Sequence, residues 1–222
     1  MAERIAVFPG CFDPPHKGHI DTVRQILQTG KADHVVVVSG SNPQKKRLLT
    51  LENSVELFRR MLPPELADRV TVCADDERMT NMPKLAGRFN AGSLVRGKRR
   101  TEHPVKNLIQ EGAIAAYLTG YRLARLKKPL HLIWLKNSPD CNGLSSTQAR
   151  GVLFSEGCSQ EKLEKLMPAD VADILLRAKA QCPDVSRENN GEFNKALAGL
   201  LGIAEAPKAA VKRRAGFRFG RR

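Results

Sequence analysis

The sequence predicts an α/β fold built on a doubly wound parallel sheet, followed by a basic C-terminal extension. Short apolar runs alternate along the chain with segments whose apolar residues recur every three or four positions, which is typical of strand-helix-strand units. The valine-rich runs lack polar alternation, and this indicates strands buried on both faces. A chain of 222 residues is long enough for one domain of ordinary size with a tail.

Five apolar runs are predicted as strands. They are residues 4–8, 34–39, 69–73, 93–96 and 130–135. Between them, three apolar faces with helical spacing predict helices. The faces are formed by Ile20, Val23 and Leu27, by Val55, Leu57, Phe58, Met61 and Leu62, and by Leu108, Ile109, Ile114, Ala115, Tyr117 and Leu118. Because ligands of such sheets bind at the carboxyl ends of strands, the segments after the runs are candidate sites.

The chain is predicted to divide near residue 180. Residues 1–180 form the α/β domain, and residues 181–222 form a polar, basic extension that is partly disordered. Within the extension, residues 183–190 are rich in turn formers, and residues 193–203 have the spacing of a short amphipathic helix. Residues 205–222 are predicted to be a disordered basic arm.

Positive charge is concentrated in that arm. Residues 207–222 contain seven basic residues and no acidic one, which is half of the formal net charge of +14. Such an arm is expected to aid solubility or to contact polyanions nonspecifically. Phe217 and Phe219 alternate with arginine there, and since aromatic rings stack on bases, RNA contact stays an open alternative.

The rest of the composition narrows the class of protein. No apolar run approaches the roughly 20 residues that span a bilayer, and the N-terminus enters a strand without the apolar core of a signal peptide. We therefore expect no membrane contact and a cytoplasmic location. Five cysteines, without a C-x-x-C pair, argue against both a disulfide framework and a zinc site. No bound metal is expected from the protein's own ligands.

Residues 8–19 read Phe-Pro-Gly-Cys-Phe-Asp-Pro-Pro-His-Lys-Gly-His and predict a phosphate site. The first strand ends in a tight turn, and two histidines flank a glycine at the start of a helix. Glycine lets the backbone approach an anion, and the first N–H groups of the helix point at it. His16 and His19 are three residues apart, so they share one helix face and can donate to the same polyphosphate.

Anion-binding groups also follow three other predicted strands. Lys45 follows the second strand, and Arg96 and Arg99 lie at the end of the fourth, where their planar forks suit phosphate. Hydroxyls and an arginine follow the fifth at another helix start, namely Ser145, Ser146, Thr147 and Arg150. Each segment alone has an ordinary structural interpretation, solvated lysines or a serine cap. Together with the histidine motif they favour a site for a nucleotide and a second phosphate.

The motif resembles the ATP-binding signature of the nucleotidylyltransferase superfamily, Gly-x-Phe-Asp-Pro-x-His-x-Gly-His. It matches at Gly10, Phe12, Asp13, Pro14, His16, Gly18 and His19. Over residues 5–180 the chain is similar to the pantetheine-phosphate adenylyltransferases, on the strength of Asn42-Pro43-x-Lys45-Lys46, Val95-Arg96-Gly97-x-Arg99 and Ser145-Ser146-Thr147 with Arg150. The resemblance implies a Rossmann-like fold, transfer of AMP from ATP to 4′-phosphopantetheine, and a homo-oligomer, a hexamer by family resemblance.

The resemblance also implies roles for individual residues. The catalytic residues would be His19, Lys45 and Arg96. The residues that bind ATP would be Gly10, Cys11, Phe12, His16, Gly18, His19, Arg99, Ser145, Ser146, Thr147 and Arg150. The acceptor phosphate would lie against Cys11, Lys45 and Arg96. Mg²⁺ is expected to arrive with ATP, held mainly by phosphate oxygens and water.

Three departures from the family pattern keep two alternatives open. Cys11 stands where the family usually has serine or threonine, and His16 where pantetheine enzymes often have threonine. Residues 103–107 replace a stretch that is usually acidic and aromatic. His16 is closer to the nicotinamide branch, so the acceptor could be a pyridine mononucleotide. The missing acidic stretch and the basic arm instead suit a non-catalytic protein that binds nucleotide or RNA.

Overall fold

A computed structural model describes residues 3–41, 46–75, 82–97, 112, 116 and 130–203. Five strands form one sheet, and every pairing in it is parallel. The strands are β1 (Ile5–Gly10), β2 (His34–Ser39), β3 (Val70–Ala74), β4 (Ser93–Gly97) and β5 (His131–Leu135). Their order is β3-β2-β1-β4-β5. The predicted α/β class with a parallel sheet is confirmed.

The strand order reverses direction between β1 and β4, and this positions the site. The chain moves outward from β1 through β2 to β3, then crosses back to β4 beside β1. In sheets of this kind ligands bind at the carboxyl ends of the strands, where the order reverses. Gly10 ends β1 at this edge, and Gly97 ends β4.

Both faces of the sheet are covered by apolar side chains. Val35 and Val37 of β2 pack into one core with most of the helices, whereas Val36 and Val38 pack into the other with Leu85. All four valines are fully buried. Burial on both sides explains the unbroken valine run in the sequence.

Eight α-helices lie in the described part of the chain, besides the helical residues 112 and 116 and a 3₁₀ helix at Pro139–Cys141. They are α1 (Lys17–Gln28), α2 (Leu51–Met61), α3 (Pro64–Ala67), α4 (Met82–Arg88), α5 (Ser146–Phe154), α6 (Gln160–Glu164), α7 (Ala169–Gln181) and α8 (Gly191–Leu201). The apolar faces predicted for α1 and α2 are buried in the larger core. The third predicted face, at residues 108–118, lies outside the described residues apart from 112 and 116.

Packing continues past residue 180, where the sequence placed the end of the domain. Phe193, Leu197 and Leu201 of α8 are buried in the same core as α2 and α7. The amphipathic helix predicted at 193–203 therefore corresponds to α8 and belongs to the packed body of the protein. The basic arm at 205–222 lies outside the described residues. Of the helices that are described, none combines the length and the apolar character required to span a bilayer.

Candidate active site

The turn after β1 is shaped by a glycine and a phenylalanine that share one space. A Cβ on Gly10 would lie 2.6 Å from Cζ of Phe12, so a side chain at position 10 would displace the ring. Phe12 has a left-handed backbone, with φ of 45°, and its ring packs edge-on against Phe8 and Phe58 at 5.3 and 5.0 Å. Because this ring is buried, position 12 can face a ligand only through its backbone.

Two buried serines hold the carbonyl groups of this turn. Ser54 Oγ donates to the carbonyl of Phe12 at 2.7 Å, and Ser39 Oγ lies 3.3 Å from the carbonyl of Cys11. The two hydroxyls are 3.1 Å apart. They come from the end of β2 and from α2, so the turn is fixed by two neighbouring elements. Sequence analysis did not single out either serine, since a lone serine in a strand or helix carries no local signal.

Asp13 joins three segments at the centre of the site. Its carboxylate, 5% exposed, accepts from the backbone N–H groups of Leu48 and Leu49 at 3.0 and 2.8 Å. The guanidinium of Arg150 lies 3.6 Å from Asp13 Oδ2 and donates to the Asp13 carbonyl. Burying a carboxylate is costly unless hydrogen-bond donors and a cation lie beside it, and Asp13 has both. Asp13 was recognised only as part of the signature, and the structure gives it this connecting position.

His16 and His19 lie together at the start of α1, as their spacing predicts. Their ring centroids are 3.7 Å apart, and the backbone N–H of His16 donates to Nδ1 of His19 at 3.1 Å. That bond requires a lone pair on Nδ1, so the proton of His19 is on Nε2. Nε2 is therefore the ring atom of His19 that can donate to a phosphate oxygen.

His16 has a different environment from His19. It is 4% exposed, and burial lowers its pKa to about 4, so the ring is neutral near pH 7. Its Nδ1 is buried and has no hydrogen-bond partner among the described residues. Leaving a buried polar atom of this kind without a partner costs free energy in the folded protein.

Gly18 lets α1 approach the segment that follows β5. A Cβ on Gly18 would lie 2.6 Å from Nδ2 of Asn137 and 3.1 Å from Nδ1 of His16. Asn137 Oδ1 is 3.2 Å from the hydroxyl of Thr22, and Ser138 N–H donates to the buried Asp21 at 2.7 Å. These contacts fix the segment after β5 against α1. The sequence offered no pattern that marks Asn137.

The start of α5 meets the turn after β1. Ser145 Oγ caps the helix by accepting from the N–H of Gln148 at 3.1 Å, and Ser146 Oγ donates to the carbonyl of Pro14 at 2.8 Å. Arg150 donates to the Thr147 hydroxyl at 3.0 Å, and burial lowers the pKa of Arg150 from its usual value. The hydroxyls thus hold protein groups, and the N–H groups of the first turn are the donors that α5 offers to an anion.

Three of the predicted site residues, Lys45, Arg96 and Arg99, belong to the ends of β2 and β4 or to the segments that follow them. Leu94 pairs with Val7, so Arg96, two residues further along β4, lies at the level where β1 ends. It is half-buried and pairs with Trp134 of β5. Lys45 and Arg99 lie outside the described residues, whereas Lys46 is described and exposed. The structure thus brings Gly10, Cys11, Phe12, His16, Gly18, His19, Arg96, Ser145, Ser146, Thr147 and Arg150 to one edge of the sheet.

Comparison with known proteins gives consistent matches. The model of the cytidylyltransferase-like family matches residues 7–152, from β1 into α5. The phosphopantetheine adenylyltransferase of Parvibaculum lavamentivorans is 29% identical over 187 residues, which covers 80% of this chain and 96% of that protein. The one from Lactobacillus acidophilus is 31% identical over 157 residues, covering 70% and 88%.

A solved structure of another protein has a similar fold to this chain. The nicotinic acid mononucleotide adenylyltransferase of Plasmodium falciparum, complexed with NaAD, superposes with a TM-score of 0.56 and 12% identity over 83% of this chain and 99% of that one. At this identity the likeness concerns the fold alone. Because the family model spans more than half of the chain and the relatives align along most of their length, the chain belongs to the cytidylyltransferase-like family and is a nucleotidyltransferase.

Proposed function

We propose that the chain transfers AMP from ATP to 4′-phosphopantetheine, giving dephospho-coenzyme A and pyrophosphate, a step of coenzyme A biosynthesis. One structural observation supports the chemistry above the others: the starts of α1 and α5 meet at the turn after β1, through Ser146 on Pro14 and Arg150 on Asp13. Two helix N-termini that converge beside a histidine donor suit a polyphosphate. The choice of acceptor is supported by the phosphopantetheine adenylyltransferases among the relatives.

The main task of the protein in this reaction is to position ATP and the acceptor phosphate. An oxygen of the acceptor phosphate attacks the α-phosphorus of ATP in line, the bond to the bridging oxygen breaks, and pyrophosphate leaves with that electron pair. Negative charge grows on the leaving oxygens, and Nε2–H of His19 is a donor suited to them. No covalent intermediate on the protein is needed. Mg²⁺, carried in on the phosphate oxygens, supplies further charge neutralisation.

The substrate contacts follow from the same arrangement. ATP would lie along the N–H groups at the starts of α1 and α5, beside Gly10, Gly18 and the cation of Arg150. The acceptor phosphate would lie by Arg96 and Cys11 at the ends of β4 and β1, with Lys45 of the neighbouring loop. Arg99 would complete the ATP site. A homo-oligomer, a cytoplasmic location and nonspecific polyanion contact through the basic arm belong to this proposal.

One observation favours a second acceptor. His16, a choice closer to the nicotinamide branch, is buried beside His19 at the start of α1, and this departure from the pantetheine pattern favours a pyridine mononucleotide as the second candidate. The two candidates differ in the acceptor and share the transfer chemistry. They are therefore separated by substrate preference and not by the pattern of catalytic residues.

The deciding experiment is a panel of acceptors with ATP and Mg²⁺. Pyrophosphate release is followed with 4′-phosphopantetheine and with nicotinamide and nicotinate mononucleotides, and mass spectrometry identifies each product. We expect turnover with 4′-phosphopantetheine and formation of dephospho-coenzyme A. His19→Ala protein purified in parallel controls for a contaminating enzyme. Faster turnover with a mononucleotide would select the second acceptor, and no turnover would favour a protein that only binds nucleotide.

A further inference from the structure

Residues 46–50 lead into α2, and this segment, loop 46–50, is held from the side of the histidine motif. Leu48 and Leu49 donate their N–H groups to Asp13, as described above. The side chain of Arg47 donates to the carbonyls of Gly40 and Leu49 at 2.7 and 3.0 Å. The first residue of this loop is Lys46, which follows Lys45, the residue predicted to hold the acceptor phosphate.

The same loop is held from the opposite side by the start of α8. Asn190 Nδ2 donates to the carbonyls of Arg47 and Leu48 at 2.8 and 2.9 Å. Asn194 Nδ2 donates to the carbonyl of Leu48 at 2.8 Å, and Asn194 Oδ1 accepts from the N–H of Thr50 at 2.9 Å. Residues 47, 48 and 50 thus bond through their backbones to two side chains more than 140 positions away in sequence.

Helix α8 is anchored well enough to act as a rigid support. Phe193 and Leu197 are buried in the main core, and Asn53 of α2 donates to the side chain and the carbonyl of Asn194 at 2.9 and 3.0 Å. Asn190 and Asn194 are four residues apart, so their side chains lie on one edge of the helix. The amide group suits the task because it both donates and accepts.

This support lies outside the part of the chain that the family model describes. The match ends at residue 152, whereas α8 begins at Gly191. The transfer chemistry proposed above makes no use of α8. The contacts of α8 with loop 46–50 are therefore not explained by that chemistry.

We propose that α8 is a positioning element for the acceptor phosphate, and that Asn190 and Asn194 are its positioning residues. They fix loop 46–50 in the free enzyme, so the binding of the acceptor phosphate next to this loop does not have to order it. The identity of the acceptor rests on the proposed function, but the effect of α8 on the loop does not.

Kinetics with Asn190→Ala and Asn194→Ala test the role. We expect KM for the acceptor to rise about threefold to tenfold, the effect of one or two lost hydrogen bonds, while KM for ATP and kcat change less than about twofold. Asn189→Ala is the matched control, since Asn189 is exposed and directly precedes Asn190, the N-cap residue of α8. Equal rises in both KM values would overturn the positioning role.

Hydrogen exchange gives a second measurement that does not depend on turnover. In Asn194→Ala the N–H of Thr50 loses its acceptor, so its exchange should quicken by about tenfold or more, whereas Asn189→Ala should leave it unchanged. Unchanged exchange would overturn the proposal. Because Asn194 is buried and its replacement could unfold the protein, the half-buried Asn190 provides the second variant, with melting temperatures measured for all three.

The two proposals can fail separately. If the wild-type enzyme prefers a mononucleotide, the proposed function fails, and the KM split is measured with that acceptor. If 4′-phosphopantetheine is the substrate but neither asparagine affects its KM, the positioning role fails and the proposed function stands. A faster exchange of Thr50 together with a selective rise in acceptor KM supports both parts of the inference.

Discussion

Helices α1 and α5 both begin at the site, yet their first turns are built differently. The start of α5 is closed by hydroxyls: Ser145 accepts from Gln148, and Ser146 donates to Pro14. The start of α1 carries two imidazoles, one buried and neutral and one with its proton on Nε2. Under the proposed function, the two helix starts therefore have different roles. We infer that α5 mainly binds and fixes the turn, and that α1 stabilises charge during the reaction.

The strongest test of this difference is His19→Ala. We expect kcat to fall at least about 100-fold, since a donor to charge that develops in the transition state contributes about 3 kcal/mol. KM for ATP should change much less. His19→Gln, which keeps an N–H donor, should recover part of the rate. A large rise in KM for ATP with kcat unchanged would show that α1 also acts mainly in binding.

The second test of the difference between the helix starts is the pH dependence of the free energy of unfolding, which His16 of α1 should affect. The folded protein holds the pKa of His16 near 4 by burial, against 6.5 ordinarily, so below pH 6.5 the unfolded chain takes up a proton that the folded chain does not. The free energy of unfolding should fall between pH 6.5 and 4, by up to about 3 kcal/mol from this group. Above pH 6.5 the group makes no contribution that changes with pH.

Urea unfolding at pH 7 and pH 4.5 measures this effect. The wild type should lose more stability than His16→Gln over that interval, while His34, whose pKa is also lowered by burial, contributes equally to both proteins. An identical pH dependence of the two would contradict a buried, neutral His16. The start of α5 carries no histidine, so Ser145→Ala should show the pH dependence of the wild type.

Glycine-to-alanine changes give a matched pair on the two helices. At Gly18 of α1 the new methyl would meet Asn137 and His16, so we expect a loss of about 1–2 kcal/mol in stability and a lower kcat/KM. At Gly151 of α5 nothing lies within 4 Å of an added Cβ, so stability should rise by about 0.5–1 kcal/mol. Thermal unfolding and steady-state rates check both, and a stabilised Gly18→Ala enzyme would refute the close approach.

Among the predicted ATP-binding residues, Ser145→Ala should have the smallest effect on catalysis. Removing the cap should cost about 1 kcal/mol in the free energy of unfolding and should raise KM for ATP slightly. We expect kcat to stay within about twofold of the wild type, because Ser145 bonds to its own helix. A fall in kcat comparable with that of His19→Ala would mean that α5 takes part in the chemistry.

Much of the fold could be predicted because its signals are local. The valine run of β2, the apolar faces of α1 and α2 and the turn before His16 are patterns within about a dozen residues. The contacts that complete the site are not local. Asp13 reaches Leu48, Ser54 reaches Phe12, and Asn194 reaches Thr50, and a polar residue on a helix looks the same in sequence whether it faces water or a distant backbone.

The neutral state of His16 could not be predicted either. Spacing places His16 and His19 on one face, but the depth at which each ring lies depends on how Asn137, Phe12 and Phe58 pack around α1. The same limit applies to the end of the domain. The apolar spacing of α8 predicted a helix, whereas its burial against α2 and its reach to loop 46–50 follow only from the folded chain.

Substitutions at positions 10 and 12 are expected to depend on each other in evolution. The ring of Phe12 occupies the space that a side chain at position 10 would need, and it also fills the gap between Phe8 and Phe58. A larger residue at position 10 is therefore tolerated only after position 12 has become smaller, and a smaller residue there first leaves a cavity in the core. Each single step passes through a less stable protein, so in descendants of this chain the two positions should change together or not at all.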